Sequence, residues 1–280
     1  SFRATLLRNR ENTLKLISIQ NIRYELESKE LESYRKLISV LTHEIMNLMS
    51  PLTSVSKVLY SLYYRNNEPI SLADMNAVAL LNRTDTMFVM PTGQLLHTLA
   101  ALQSDYRVLC MGGQRLHHYR TLYFDLPDFD LYNLHVNGHS DRYKVRSREY
   151  TDSGLSFLEV KHKTSKARTI KERMATSTPV IKMTGEADDW LHGVFPYNHK
   201  ALEPKVWNTF TRLTLVSKQL NERVTLDVDL TFYTADCVAH LDRLAIAEVK
   251  RDSYHSDSAF LSQMRIQRIH PRGFSKYCIG

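Results

Sequence analysis

Residues 142–148 read Arg-Tyr-Lys-Val-Arg-Ser-Arg, with a basic side chain at every second position. Alternate residues of a strand point to the same side of a sheet, so an extended conformation makes one face here a ladder of cations. Residues 157–163 repeat the pattern with Glu159, Lys161 and Lys163 on one face, and residues 245–250 repeat it with Glu248 and Lys250. The alternating partners are Tyr143, Val145, Leu158, Val160, Ala247 and Val249, an apolar face suited to packing on a shell. Like charges facing each other across a sheet repel, and are tolerated only where an anion lies between them or water fills the space. A solvated sheet face is the ordinary end of a charge run. Recurrence on several strands, interleaved with carboxylates, instead predicts a closed barrel whose interior binds a polyanion.

The chain of 280 residues can hold one large domain, or a domain with an appendage. A hydrophobic content of 43% is that of a folded protein. The net charge of +7 and a pI near 9.2 favour an anionic partner: phosphate, nucleic acid or an acidic membrane surface. Cys110, Cys237 and Cys278 are odd in number and widely spaced, with no CxxC pair, which argues against a disulfide framework and a zinc site. A reducing compartment, the cytoplasm, is the expected location. No apolar run has the length of a membrane span, and no secretory signal pattern opens the chain. Its first residue is Ser1, consistent with a trimmed or incomplete start.

Two segments differ in grammar. From about Glu11 to Tyr64 the chain has no glycine and only Pro51 as a breaker, and Glu25, Glu27, Lys29, Glu30 and Glu32 stand among apolar residues at helical spacing. A long helix is expected. The turn-rich stretch 65–69 marks a boundary. Beyond it, strands are predicted near 83–90, 105–111, 117–124, 141–150, 154–163, 168–174, 205–217, 222–232 and 244–251, and helices near 91–103, 128–135 and 256–268. Residues 175–200 read as a loop with one helix around 186–191. The fold class predicted is α+β: an antiparallel β tunnel or barrel with peripheral helices, plus the long N-terminal helix. The domains expected are 1–66, helical, and 69–280, the tunnel.

From about Pro69 to Gly280 the chain resembles the polyphosphate polymerase (VTC) domain, a branch of the triphosphate tunnel metalloenzymes. The residues that carry the likeness are Leu81-Asn82-Arg83-Thr84-Asp85-Thr86, Thr121-Leu122-Tyr123-Phe124-Asp125, Arg142-Tyr143-Lys144-Val145-Arg146, Phe157-Leu158-Glu159-Val160-Lys161, Ala247-Glu248-Val249-Lys250 and Gly273-Phe274-Ser275-Lys276-Tyr277. The resemblance implies a tunnel that binds ATP and inorganic polyphosphate, with a divalent ion, Mn²⁺ or Mg²⁺, and transfer of the terminal phosphoryl group of ATP onto a polyphosphate chain. It casts Lys144, Arg146, Lys161 and Lys276 as catalytic cations. Arg142, Arg148, Lys171, Arg212, Arg223, Lys250 and Ser275 become phosphate contacts, and Glu248 the metal ligand. Phosphoryl transfer asks mainly for positioning and charge neutralisation, so cations with a carboxylate are the expected toolkit.

Two departures stand out. Met87 follows Thr86 where the family usually carries a basic residue, and His135, largely neutral near pH 7, lies where relatives can carry arginine. Either change fits lowered activity, so a catalytically weak polyphosphate-binding or signalling module is the alternative to a polymerase. The alternating-glutamate motif of the family's triphosphatase branch is absent. Nucleic acid is not expected as a partner, because aromatic residues are not placed on the charged faces as stacking platforms.

The run Leu41-Thr42-His43-Glu44-Ile45-Met46-Asn47, followed by Pro51, resembles the phosphoacceptor box of sensor histidine kinases. The resemblance casts His43 as phosphoacceptor, Glu44 as the adjacent acid and Asn47 as a support for dephosphorylation. No nucleotide-binding kinase domain follows, so either another protein phosphorylates His43 or the segment is a helical remnant. Its apolar stripe would seek a partner, a second copy forming a dimer or the barrel exterior.

Overall fold

In the computed structural model the described residues are 2–9, 12–19, 68–77, 83–166, 168–252 and 258–280. They fall in two compact units, Ser1–Pro51 and Leu52–Gly280. In the first, β1 (Phe2–Asn9) and β2 (Asn12–Ile19) form an antiparallel hairpin, with Leu7 opposite Leu14 and Phe2 opposite Ile19. The helix expected from Glu11 is therefore replaced by a strand over Asn12–Ile19. There Leu14 and Leu16, and then Ile17 and Ile19, are spaced by two with a change of phase between them, too short a pattern to displace the helical reading. The rest of that helix, with His43, Glu44 and Asn47, lies outside the described residues.

The second unit is built on an 11-stranded sheet. Its elements in chain order are β3 (Pro69–Ile70), α1 (Leu72–Ala77), β4 (Arg83–Pro91), α2 (Thr92–Ala101), β5 (Tyr106–Leu109), β6 (Leu116–Asp125), α3 (Asp130–Val136), β7 (Arg142–Tyr150), β8 (Leu155–Lys163), β9 (Thr169–Thr176), α4 (Glu186–Val194), β10 (Glu203–Ser217), β11 (Glu222–Tyr233), β12 (Val238–Leu241), β13 (Leu244–Asp252), α5 (Ala259–Ile266) and α6 (Lys276–Ile279). The main path runs β4-β13-β11-β10-β6-β7-β8-β9, and all of its pairings are antiparallel. The nine strands predicted for the tunnel appear with small boundary shifts, as do the predicted helices. The four-residue strand β12 and the short helix α6 carry too little periodicity to have been found.

Local chemistry explains how the strands connect. Gly154 closes the β7–β8 hairpin at φ +68°, a conformation open to glycine without steric cost, and its N–H reaches the Tyr150 carbonyl at 2.9 Å. The β10–β11 register slips between Thr209 and Thr211, beside Asp229 at φ +53°, and such a bulge bends and twists a strand.

Two apolar clusters cover the outer side of the sheet, and a third, with Tyr123, Phe210, Ile246 and Tyr277, lies on the inner face. Phe88, Leu226 and Val249 pack beneath Leu95 and Leu99 of α2 and Phe260 and Met264 of α5. Val145, Leu158 and Val160 pack beneath Ala187 and Leu191 of α4 and the following Phe195. Each fully buried leucine of the outer shell stabilises the fold by about 1.5–3 kcal/mol, so the shell holds the wall while charged residues share the inner face with the Tyr123 cluster. No helix among the described residues is long and apolar enough to cross a membrane.

Candidate functional site

The predicted cation ladder faces inward. Across the β7–β8 pair, Lys144 stands opposite Lys161, Arg146 opposite Glu159 and Arg148 opposite Phe157. On β9, Lys171 stands opposite Lys161 and Arg173 opposite Glu159. At the other end of the path, Arg212 of β10 faces Asp227 of β11, Glu248 of β13 faces Thr225, and Lys250 faces Arg223. Met87 and Asp85 of β4 stand opposite Glu248 and Lys250.

The two ends of the path meet across an interior. Four strands separate β8 from β13, so a flat sheet would hold them about 24 Å apart. Yet Lys161 of β8 is close enough to Glu248 and Asp85 to interact with both electrostatically. The sheet is therefore curled into a tube. Residues preceding and opening α6 bridge it: the Lys144 ammonium donates to the Ser275 hydroxyl at 2.9 Å, and Lys276 donates to Asp227 at 2.5 Å. Tyr277 donates its hydroxyl to Asp125, a fully buried carboxylate that also accepts the N–H groups of Leu131 and Tyr132 at 2.8 Å. That clasp fixes the segment carrying Ser275 and Lys276.

Interior cations divide into paired and unpaired. Glu159, 1% exposed, accepts from Arg146 at 2.7 Å and pairs with Lys171 at 2.5 Å. Burial alone would raise its carboxyl, but Arg146, Arg148 and Lys171 hold it down at about 2. Asp227 takes a forked bond from Arg212, at 2.6 and 2.8 Å, in addition to Lys276. Against the effect of burial, these two cations hold it well below the carboxylate range. Lys250 sits 2.6 Å from Glu248 and 3.6 Å from Asp85. Lys144, Arg148 and Lys161, in contrast, have no carboxylate within ion-pair distance among the described residues. Burial, followed by the nearby Lys161, Arg146 and Arg142, pushes the Lys144 ammonium down to about 8, with Cys278 opposing. Arg148, 7% exposed, donates to the Thr121 hydroxyl at 3.3 Å and lies over the Tyr119 ring at 5.5 Å. Taking a cation out of water without a counter-charge is costly, so these three side chains are the candidates for contact with an anion.

The fold thus gathers Lys144, Arg146, Arg148, Lys161, Lys171, Arg212, Arg223, Lys250, Ser275, Lys276 and Glu248 on one interior. Arg142 closes the ladder at one mouth, donating to the His139 carbonyl. His135, beside that mouth, is held neutral: burial, Lys144 and Arg142 push its imidazole down to about 3. Sequence reading missed Asp227, although Arg223, Thr225 and Asp227 alternate on β11 in the same way as the basic ladder. It also misjudged the aromatic residues. Tyr119, Tyr150 and Phe157 occupy inner register positions, opposite Phe210, Leu155 and Arg148. They lie at the ends of the charge runs, where a search centred on charges does not look.

For a divalent ion, no group of three metal-binding side chains occurs among the described residues. Glu248 and Asp85 are nonetheless neighbouring carboxylates that both contact Lys250. One or two carboxylates suffice for an ion held mostly by phosphate oxygens, and the pair fits that mode.

A family model described as the VTC domain matches residues 82–280. No curated protein sequence matches the chain. Among solved structures, a candidate adenylate cyclase from Bacillus halodurans aligns at 13% identity and a TM-score of 0.45, covering 70% of this chain and 96% of its own. A candidate adenylyl cyclase from Hippeastrum, with a dominant triphosphatase activity, aligns at 12% identity and 0.42, covering 70% and 93%.

Proposed function

This chain belongs to the VTC domain family, and on that premise we propose that its tunnel binds ATP and polyphosphate and transfers the terminal phosphoryl group of ATP to the growing chain. The observation that carries this reading is the set of inward cations without carboxylate partners among the described residues, Lys144, Arg148 and Lys161, backed by paired Arg146, Lys171, Arg212 and Lys276. Lys144 and Arg148 are four residues apart on one strand, about 13 Å, which suits several linked phosphoryl groups along the axis. Arginine forks onto two oxygens while lysine acts as a point charge, so the ladder can both orient and slide a chain. The Tyr277–Asp125 clasp holds Ser275 and Lys276 against the phosphates. Glu248 and Asp85 would hold Mg²⁺ or Mn²⁺, which would supply charge neutralisation to the phosphates.

Purified protein incubated with ATP and Mn²⁺ or Mg²⁺ is expected to yield polyphosphate of increasing length. Lys144→Ala/Arg146→Ala is expected to yield none. Orthophosphate as the sole product would replace polymerase by triphosphatase. A second reading is favoured by Met87, which stands opposite Glu248 and gives the carboxylate an apolar neighbour: a module that binds polyphosphate without extending it. No turnover together with tight polyphosphate binding would select it.

Lys144 gives the site a pH signature. Its folded pKa near 8 is below the ordinary lysine value of 10.5, so charge is lost as pH rises through about 8 and polyphosphate affinity falls between pH 7 and 9. A bound phosphate restores the charge, so complex formation takes up protons in that window. The unfolded chain binds more protons between about 8 and 10.5, so on this account the ligand-free fold gains stability there as pH rises. Titration calorimetry at pH 9 in buffers of different ionisation enthalpy should show the uptake, and Lys144→Arg, always charged, should abolish it. Heats independent of buffer would refute the assignment.

A further inference from the structure

Along β11 the side of the sheet that a residue faces changes partway. Val224, Leu226 and Val228 lie in the outer cluster beneath α2 and α5, so Arg223, Thr225 and Asp227 face inward, where Asp227 takes Arg212 and Lys276. Beyond Asp229 the phase is reversed. Leu230 and Phe232 enter the inner cluster with Phe210 and Tyr277, while Tyr233 turns outward, accepts from Arg120 and stacks on Trp207. A regular strand cannot do this, because its side chains alternate without interruption. Its neighbour β10 keeps one phase, with Phe210 and Arg212 inward and Leu213 and Leu215 outward.

The switch is the bulge between Thr209 and Thr211. Thr209 stands opposite Thr231 and Thr211 opposite Val228, so Phe210 alone spans both Asp229 and Leu230. At the same point β11 exchanges neighbours: Asp227 pairs with Ile246 of β13, and Leu230 with Leu241 of β12. Two features hold the extra residue. Asp229 has φ +53°, in the left-handed region that Gly, Asn and Asp enter readily and β-branched residues resist. Asn208, fully buried on β10, donates its side-chain amide to the Thr231 carbonyl at 3.1 Å and the Thr209 carbonyl at 3.3 Å, clamping the last pair before the slip.

We infer that Asp229 and Asn208 are positioning residues for anion binding: by holding the bulge they aim Arg223, Thr225 and Asp227 into the tunnel and, on the same strand, give Tyr277 its apolar seat. They act through other groups. Asp227 orients Arg212 and Lys276, and the Tyr277 seat fixes the segment that carries Ser275 and Lys276. Without the extra residue, one phase would run the length of β11. Either Arg223 and Asp227 would then enter the apolar shell under α2 and α5, or Leu230 and Phe232 would turn out to water. Bulges re-aim side chains in this way beside functional sites in other sheets.

The inference rests on the reading that the tunnel binds phosphate chains, and one titration series separates the two. Inorganic tripolyphosphate is titrated into the parent, Asp229→Gly, Asp229→Asn, Asp229→Ala, Asp229→Val and Asn208→Leu, each well below its own thermal midpoint so that only folded protein is counted. The glycine and asparagine variants are expected to bind as the parent does and the valine variant to lose about tenfold or more, with alanine between, the order in which these residues tolerate positive φ. Asn208→Leu, close in shape but without the amide donors, is expected to weaken binding in the same direction. An order set by size would part asparagine from glycine, and one set by charge would group alanine and valine with them; either overturns the inference. A bulge with only a structural role would lower the midpoints in the expected order and leave the affinities level, which overturns the inference while the phosphate tunnel stands. Loss of a cooperative melt in Asp229→Ala, Asp229→Val and Asn208→Leu alike would overturn it too, by making the bulge a requirement of folding. If the parent does not bind tripolyphosphate, the phosphate reading falls and the aiming role with it.

Discussion

Asp227→Ala is expected to unfold well below the parent in temperature, and to regain most of the loss when tripolyphosphate is added. The carboxylate is 4% exposed and takes Arg212 in two bonds and Lys276 in a third. Removing one member of a buried ion cluster leaves uncompensated charge, at a cost of about 3–5 kcal/mol. In a domain of this size each kcal/mol moves the midpoint by about 2–4 °C, so the shift is roughly 6–20 °C. Phosphate oxygens can then take the place of the missing carboxylate, and a ligand that binds only the folded state stabilises it by mass action. Thermal melts with and without tripolyphosphate measure both effects. An unchanged midpoint in the ligand-free variant would show that Arg212 and Lys276 are solvated without Asp227.

Glu248→Gln is expected to lower metal-dependent turnover by on the order of a hundredfold or more, while leaving metal-free polyphosphate binding intact. The substitution keeps the side chain's shape and removes its charge. Groups that only orient a metal ligand already cost about 10–100-fold when changed, and a ligand should cost at least as much. Glu248 now neutralises Lys250 at 2.6 Å, so the variant also frees a cation toward the tunnel. Anion affinity should therefore hold or rise as turnover falls. That opposition distinguishes loss of a metal ligand from a collapsed site, in which both would drop. Full metal-dependent activity in Glu248→Gln would falsify the ligand role.

Much of this was legible because a strand's period of two writes its inner and outer faces into the sequence. Arg142, Lys144, Arg146 and Arg148 announce the inner face of β7, and Val145 with Leu158 and Val160 announces the shell that α4 covers. Pairing was not legible. Glu159 has Lys161 two positions away on its own strand, yet its partners are Arg146 and Lys171, one strand to either side. Periodicity gives the face a residue occupies, whereas register and curvature decide which charges meet. Electrostatic contact between Lys161 and Glu248 depends on a tube that forms only when the whole sheet bends, and no local window encodes it. The hairpin β1–β2 was missed for a simpler reason: Asn12–Ile19 holds only two short alternations of opposite phase and was absorbed into a longer helical pattern.

Two of the apolar clusters lie outside the sheet and the charges lie within, which largely separates what holds the wall from what it surrounds. Leu95, Leu99, Leu191 and Phe260 sit on the outer layer, remote in role from the groups that meet an anion. Interior side chains can thus be exchanged to suit a different cargo while the layer outside keeps its shape, provided that each buried carboxylate keeps a cation. The converse also holds. A wall drawn together with Lys144, Arg148 and Lys161 lacking carboxylate partners among the described residues works against its own repulsion, so on the proposed reading an anionic cargo would complete the fold that carries it.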